Sequence, residues 1–479
     1  MHTKTLKELY EGIKTKQFSS LELTQHFIKR IKNLNNKING FLHINEEYAI
    51  EKSKKFDKKK LYNGGIPFAH KDIICTTESK TTCASKMLQN FTAPYNATIH
   101  KKLLKANFIP LGKTNMDEFA MGSSNEKSIF GKVYNPWNNK YVSGGSSGGA
   151  AACISSRLIP AAIGTDTGGS IRQPAAFCGV TGLKPTYGLI SRFGIIAFAS
   201  SLDQAGPIGK TAEDCAILLE IIAGYDEKDS TSIKTHIQKY SNYINNSPKK
   251  MIIGIPKEFI HNLNNDIKNN LNNVINIFKE LKTTIKYISL PNIKLSIPAY
   301  YIIAPAECSS NLSRYDGIKY GYKCINPLNI KDLYSRSRFE GFGEEVIRRI
   351  MIGTYVLSSG YYNDYYIKAQ KIRAIIRNDY INAFKKVNVI IGPTTPNHAF
   401  KINSIKKSPT EMYKSDIYTC SVNLAGLPAI SIPTGFVNNL PVGLQIIGNY
   451  LKENEILNLA HQYQLNTEWH KLIPKQFIN

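Results

Sequence analysis

The 479-residue sequence predicts an α/β fold built as one large domain, and three observations carry that reading. Strand-like apolar runs alternate with amphipathic helical stretches along the chain, down to V-N-V-I-I before Gly392 and A-I-S-I before Pro433, as a layered sheet with helices requires. No Pro- or Ser-rich linker divides the chain. Hydrophobic residues make up 42% and charged residues 20%, enough apolar material for one core where length alone would suggest about three domains.

The elements follow in order. From residue 6 to residue 50 the pattern is helical: Ser19 and Glu22 form a capping box, and Leu23, Phe27, Ile31 and Leu34 follow at helix spacing. This segment packs and carries no chemistry. Gly64-Gly65 then turns the chain into the short strand of G-I-P-F-A-H-K-D, which ends on Lys71. Residues 98–107 read as a helix and 108–111 as a strand. Gly122, Ser123 and Ser124 are either a plain turn or small residues lining a pocket. Residues 150–163 read as a buried helix leading into a strand. Beyond Asp203 comes a Lys/Asn-rich region, with a strand at 251–255, one helix face made by Ile267, Leu271, Val274, Ile275, Phe278 and Leu281, and a further strand at 284–290. The Asn and Lys residues between these apolar positions belong on the surface. The chain thus divides into a helical segment over about 1–60, a chemistry-bearing core over about 61–225, a peripheral region over about 226–300 and a C-terminal part over about 301–479 that completes the sheet and a pocket.

Composition narrows the function classes. Sixty-one basic against thirty-six acidic residues leave a formal charge of +25, which suits an acidic partner such as RNA. Runs such as K-N-L-N-N-K-I-N suit equally a solvated Lys coat from an AT-biased coding sequence. No run of about eighteen apolar residues is present, and M-H-T-K-T-L-K-E-L-Y lacks a signal-peptide core. A cytosolic site is expected, or an organelle interior if a presequence is removed. The eight cysteines form no C-x-x-C pair, so reduced, buried thiols and no metal site are expected.

The chemistry concentrates between Tyr141 and Thr186, where Y-V-S-G-G-S-S-G-G-A-A-A-C and I-G-T-D-T-G-G-S-I-R-Q-P hold two Gly/Ser knots. A flexible linker would continue polar, but both knots are flanked by small apolar residues that ask for burial. A phosphate-binding loop would need a Lys followed by Ser or Thr, which is missing. Gly144, Ser146 and Gly148 match the nucleophile elbow G-x-S-x-G, a short motif that would make Ser146 the nucleophile and need an acid and a His downstream. The second knot points elsewhere. The glycines before Ser170 let consecutive backbone N–H groups converge near its hydroxyl, as an oxyanion hole demands. No His stands nearby in a comparable context, whereas Lys71, ending an apolar strand, is costly there unless it has a role. A neutral Lys can be the base.

With these motifs on the page, the chain resembles the amidase signature family. The resemblance runs through G-I-P-F-A-H-K-D, G-K-T-N-M-D-E-F-A-M-G-S-S, G-G-S-S-G-G, D-T-G-G-S-I-R, G-L-K-P-T-Y-G, F-A-S-S-L-D-Q-A-G-P, G-P-T-T-P, N-L-A-G-L-P-A-I-S-I-P and P-V-G-L-Q-I-I-G, nearly the whole chain. It implies a large mixed sheet wrapped by helices, with Lys71 as base, Ser146 as a bridging Ser held by a cis peptide, and Ser170 as nucleophile. The backbone N–H groups of Thr167, Gly168, Gly169 and Ser170 would hold the oxyanion, and Asp166 would orient the loop. The middle and late motifs are similar to the branch of the family that hydrolyses glutamine to feed ammonia to a tRNA-amidating complex. That branch implies the B and C subunits of a heterotrimer as partners, with no cofactor in this chain, ATP and magnesium used by the B protein, and Glu-tRNA(Gln) amidated there. In its pattern Arg349 binds the glutamine α-carboxylate, Asp416 the α-ammonium, and Tyr301 forms an aromatic wall; Arg348 and Tyr300 are the neighbouring alternatives. A stand-alone amidase on other carboxamides and a non-catalytic basic scaffold for RNA are the competing functions. His70, Ala150, Lys127 and Lys132 depart from the family pattern, and none removes a catalytic group.

Overall fold

Helices begin where local chemistry predicts. Thr5, Ser19 and Thr211 each open a helix with a reciprocal capping box, closed by Glu8, Glu22 and Asp214 three residues on, which satisfies two otherwise orphaned N–H groups per helix. The computed structural model describes residues 1–61, 63–261, 263–404 and 415–478.

Eleven strands join into one mixed sheet. They are β1 (Phe41–Ile44), β2 (Pro67–Lys71), β3 (Ile109–Thr114), β4 (Ala161–Asp166), β5 (Thr181–Lys184), β6 (Gln204–Gly209), β7 (Ile252–Pro256), β8 (Thr284–Ile288), β9 (Val389–Pro393), β10 (Ala429–Val437) and β11 (Leu440–Gly448). Their spatial order is β1-β3-β2-β4-β6-β5-β10-β11-β9-β7-β8. Pairing is parallel for β2 with β3 and β4, and for β7 with β8 and β9; the remaining pairs are antiparallel. Every residue of β2, β3, β4, β5, β6, β9 and β11 is buried. A strand buried on both faces needs helices on both sides, so the expected α/β architecture with a covered mixed sheet is present.

The structure also departs from the sequence reading. Strand β1 interrupts the stretch read as helical to residue 50, and β5, β6 and β11 were not expected. T-G-L-K and Q-A-G-P-I-G are rich in residues that disfavour strands in isolation. Pairing on both sides and burial override that preference: β6 is hydrogen-bonded to β4 and β5. The Lys/Asn-rich region supplies β7 and β8, at the edge of the sheet. The helix predicted from its apolar face spans Asn265–Glu280 and buries Ile267, Leu271, Val274, Ile275 and Phe278.

All eight cysteines are free and buried. Among the described residues there is no cluster of His, Cys, Asp and Glu able to hold a metal ion, and no helix is long and apolar enough to cross a membrane.

Candidate active site

Strand β2 delivers Lys71 to the interior, where its side chain is fully buried. The ammonium nitrogen lies 2.7 Å from Ser146 Oγ and 2.9 Å from Thr165 Oγ1, with the Thr165 carbonyl at 3.5 Å. A neutral amine has two N–H groups and one lone pair. The two Thr165 oxygens can take both hydrogens, which leaves the lone pair for the Ser146 hydroxyl. Burial lowers the Lys71 pKa to about 7, against the opposing fields of Asp117, Asp166 and Asp203. Charge is disfavoured at this site by desolvation, and among the described residues no carboxylate is hydrogen-bonded to the nitrogen to keep it protonated.

The two Gly/Ser knots meet beside that nitrogen. The Gly145–Ser146 peptide is cis, and the Ser147 N–H donates to the Ser170 carbonyl at 3.1 Å. Asp166 organises the second knot. Its carboxylate accepts from the Gly169 N–H at 2.8 Å, from the Ile171 N–H at 3.2 Å and from Arg172 Nε and Nη2 at 3.0 and 2.9 Å. Burial would raise the Asp166 pKa, but the Arg172 charge and hydrogen bonds outweigh it and hold the carboxyl below the usual range. The expected loop-orienting role of Asp166 fits this geometry. The expectation for Gly169 needs correction: its N–H is taken by Asp166. Among the described residues, the N–H groups of Thr167, Gly168 and Ser170 have no hydrogen-bond partner and stand free to donate.

Tyr300 backs this loop closely, since a Cβ on Gly168 would come within 2.6 Å of its Cζ. Thr419 Oγ1 donates to the Gly168 carbonyl at 2.6 Å, and the Thr419 N–H donates to the Asp416 carbonyl at 3.1 Å. The turn bearing Asp416 is thereby docked on the nucleophile loop. The buried Asp416 carboxylate accepts from Ser123 Oγ at 2.8 Å and from Tyr301 OH at 3.3 Å. Burial raises its pKa to about 7, with the Ser123 hydrogen bond and the Arg349 charge opposing. Arg349, also buried, lies 5.1 Å from the Tyr301 ring centroid and 5.7 Å from that of Phe198, and its Nε donates to Glu345 at 2.9 Å.

The structure decides between neighbours in sequence. Arg348 sits one helical step away, about 100° around the axis, half-exposed and paired with Glu344 and Glu345. Arg349 and Tyr301 face the corner with Asp416, and Tyr300 supports the nucleophile loop. Strand alternation separates His70 from Lys71 in the same way. Its Nε2 lies 3.1 Å from His100 Nδ1, and burial pushes its pKa well down, so it stays neutral and adds no charge to the Lys71 site.

Several groups that shape the site carried no sequence signal of their own. Ser123, read as turn or pocket lining, is buried and donates to the Asp416 carboxylate. Asp117 accepts from the Asn125 and Lys127 N–H groups at 2.9 and 3.2 Å. Gln173 bridges Gly145 N–H, at 2.9 Å, to the Ser123 carbonyl, at 2.7 Å. Asp203 accepts from Thr167 Oγ1 at 2.7 Å. Arg172 could have been suspected from its six-residue spacing to Asp166. A cavity of about 350 Å3 elsewhere, walled by Phe91, Tyr95, Ile195, Arg314 and Tyr320, contains none of these groups. Chemistry picks the site: a buried Lys hydrogen-bonded to a Ser, free N–H groups on the adjoining loop, and a buried acid next to a buried cation.

The family model described as Amidase matches residues 22–457. The A subunit of the glutamyl-tRNA(Gln) amidotransferase of Nitrosococcus oceani is 57% identical over 99% of both chains. Its counterpart in Coxiella burnetii is 56% identical over 99% of this chain and 100% of its own. The crystal structure of the Thermotoga maritima counterpart superposes with a TM-score of 0.81 at 40% identity, covering 95% of this chain and 94% of that one. A peptide amidase from Stenotrophomonas maltophilia superposes with a TM-score of 0.84 at 26% identity, covering 97% of each.

Proposed function

The chain belongs to the amidase family, and from that premise we propose that it is the glutamine-hydrolysing component of a glutamyl-tRNA(Gln) amidotransferase. The observation that carries this reading is the buried corner of Asp416 and Arg349 docked on the loop of Ser170. A zwitterionic amino acid needs an anion for its ammonium and a cation for its carboxylate; a simple carboxamide needs neither. Relatives named as the A subunit of that enzyme, at 54–57% identity over nearly the full length, support it.

In this mechanism neutral Lys71 accepts the proton of Ser146 as Ser146 accepts that of Ser170, and the Ser170 oxygen bonds to the side-chain carboxamide carbon of glutamine. The carbonyl electron pair moves onto its oxygen, held by the N–H groups of Thr167, Gly168 and Ser170. As the C–N bond breaks, the relay returns a proton from Lys71 through Ser146 to the leaving nitrogen, which departs as ammonia. Water then attacks the Ser170 ester with the same relay as base, and glutamate leaves. The shift of Lys71 from 10.5 to about 7 corresponds to about 5 kcal/mol, a cost that the surrounding packed core offsets so that the base is available near neutral pH.

The ammonia passes to the B subunit, which with ATP and magnesium activates Glu-tRNA(Gln) and amidates it, with the C subunit completing the assembly. Such an assembly works where translation runs, in the cytoplasm. The test is ammonia release from glutamine by the purified chain, alone and with both partner proteins, ATP and Glu-tRNA(Gln), using Ser170→Ala as blank. Strong release in the assembled complex and none in the blank is expected. Equal activity of the lone chain on simple amides, with glutamine no better than the rest, would make it a free-standing amidase.

A further inference from the structure

Arg349 is carried by the helix Glu344–Val356, and that helix has an unusual start. Its N-cap is Gly343, in extended conformation with no side chain to satisfy the exposed N–H groups of the first turn, although caps normally come from Ser, Thr, Asp or Asn. The two acidic residues of the first turn are engaged with arginines: Glu344 with Arg348, and Glu345 with Arg348 and Arg349. The carboxylate at this terminus comes from 225 residues away. Both oxygens of Glu118 accept from the Gly343 N–H, at 3.1 and 2.9 Å. The fit is close enough that a Cβ on Gly343 would lie 2.2 Å from Glu118 Oε2.

Glu118 is itself held in place by Ser85. Ser85 Oγ donates to its Oε1 at 2.5 Å and also reaches the Gly341 carbonyl at 3.3 Å, locking the corner between the helices Ile330–Gly341 and Glu344–Val356. The next residue, Phe119, has φ +48°, and its ring packs edge-on against Phe342 at 5.6 Å and Tyr315 at 5.2 Å. The residue before, Asp117, donates its N–H to the Ser146 carbonyl at 3.3 Å. One dipeptide therefore touches the bridging serine on one side and the start of the arginine-bearing helix on the other.

We propose that Glu118 is a positioning residue for the amino-acid substrate: by capping the helix Glu344–Val356 it sets the distance between Arg349 and the Ser146/Ser170 machinery. Arg349 lies six residues beyond Gly343, about 9 Å along a rigid helix. Displacing the terminus moves the guanidinium relative to a bound α-carboxylate and leaves the nucleophile, base and oxyanion donors where they are. The ionised carboxylate also complements the positive end of the helix dipole, the favourable term set against the burial that raises the Glu118 pKa to about 7.

The inference rests on the glutamine reading above, and the experiment separates the two. Steady-state ammonia release from glutamine is measured for the assembled complex as wild type, Glu118→Gln, Arg349→Ala and the double variant, with thermal midpoints recorded. The expected result for Glu118→Gln is a KM raised about tenfold, equivalent to about 1.4 kcal/mol, with kcat within about twofold. In the Arg349→Ala background the same change has no further effect, because the residue it positions is gone. A fall in kcat at unchanged KM, an effect that multiplies with Arg349→Ala, or no effect at all overturns the assignment. If Glu118→Gln fails to fold, Gly343→Ala tests the same contact from the other side, and the same KM signature is expected. A wild-type complex that releases no ammonia from glutamine overturns the glutamine reading itself, and the positioning role with it.

Discussion

On the acid side, glutamine hydrolysis should lose activity in two titrations that separate between kcat and kcat/KM. Lys71 must be neutral to accept a proton, and burial, opposed by Asp117, Asp166 and Asp203, lowers its pKa from 10.5 to about 7. Asp416 must be ionised to hold an ammonium group, and burial, opposed by Ser123 and Arg349, raises its pKa from 3.8 to about 7. The signs agree: both required forms are present above pH 7 and are lost as the pH falls. The free enzyme exposes both titrations, so kcat/KM falls toward a slope of two. At about pH 6 roughly one Lys71 in ten is neutral and roughly one Asp416 in ten is ionised, a loss of about 100-fold. Bound glutamine keeps Asp416 ionised through its own ammonium, so kcat reports Lys71 alone and falls about tenfold. Asp416→Asn removes one titration: kcat/KM is lower throughout but declines with a slope of one. The assay is the initial rate of ammonia release across this range at constant ionic strength, at saturating and at low glutamine. A kcat that stays flat well below pH 6 would refute the argument, because a group with a pKa near 7 could not then be the base.

Two further perturbations test the surroundings. Ser123→Ala removes the shortest hydrogen bond to Asp416; a bond to a charged group is worth about 1.5–3 kcal/mol, so KM for glutamine should rise at least tenfold or so, with kcat nearly unchanged in the same steady-state assay. Arg172→Met deletes the fully buried partner of Asp166 together with its bonds to Gln445, Asn423 and the Thr419 carbonyl. It strands a buried carboxylate, at a cost of about 3–5 kcal/mol, or a thermal midpoint lower by about 3–5 °C for a chain of this size. Calorimetry should show part of that loss recovered on adding Asp166→Asn.

How far the sequence could be read depended on the range of the interaction. The Ser19/Glu22 capping box spans three residues and is present as read. The strands of β2, β7 and β9 announce themselves by apolar runs, and so does the buried helix face of residues 267–278. Strands β5 and β6 do not, because glycine, proline and polar residues form them only when neighbouring strands supply the hydrogen bonds. The three groups of the proposed relay stood out in the sequence for a different reason. A strand ending in Lys and two Gly/Ser knots are local motifs, and each is recognisable before its partners are known.

What the sequence alone determined is therefore local: caps, periodic faces, and the Lys and Gly/Ser motifs on which the proposed relay is built. The tertiary structure decided which of two adjacent residues faces the interior. Helix phase turned Arg349 inward and Arg348 outward, strand alternation separated Lys71 from His70, and the Asp166 carboxylate took up the Gly169 N–H. It also decided the Lys71 pKa, set by burial against the fields of Asp117, Asp166 and Asp203, and the cap on Gly343, which comes from a partner 225 residues distant. Periodicity encodes which face of an element is apolar, but a hydrogen bond between two polar side chains far apart leaves no periodic trace. Such bonds exist only once the apolar faces have packed and excluded the water that would otherwise compete for them.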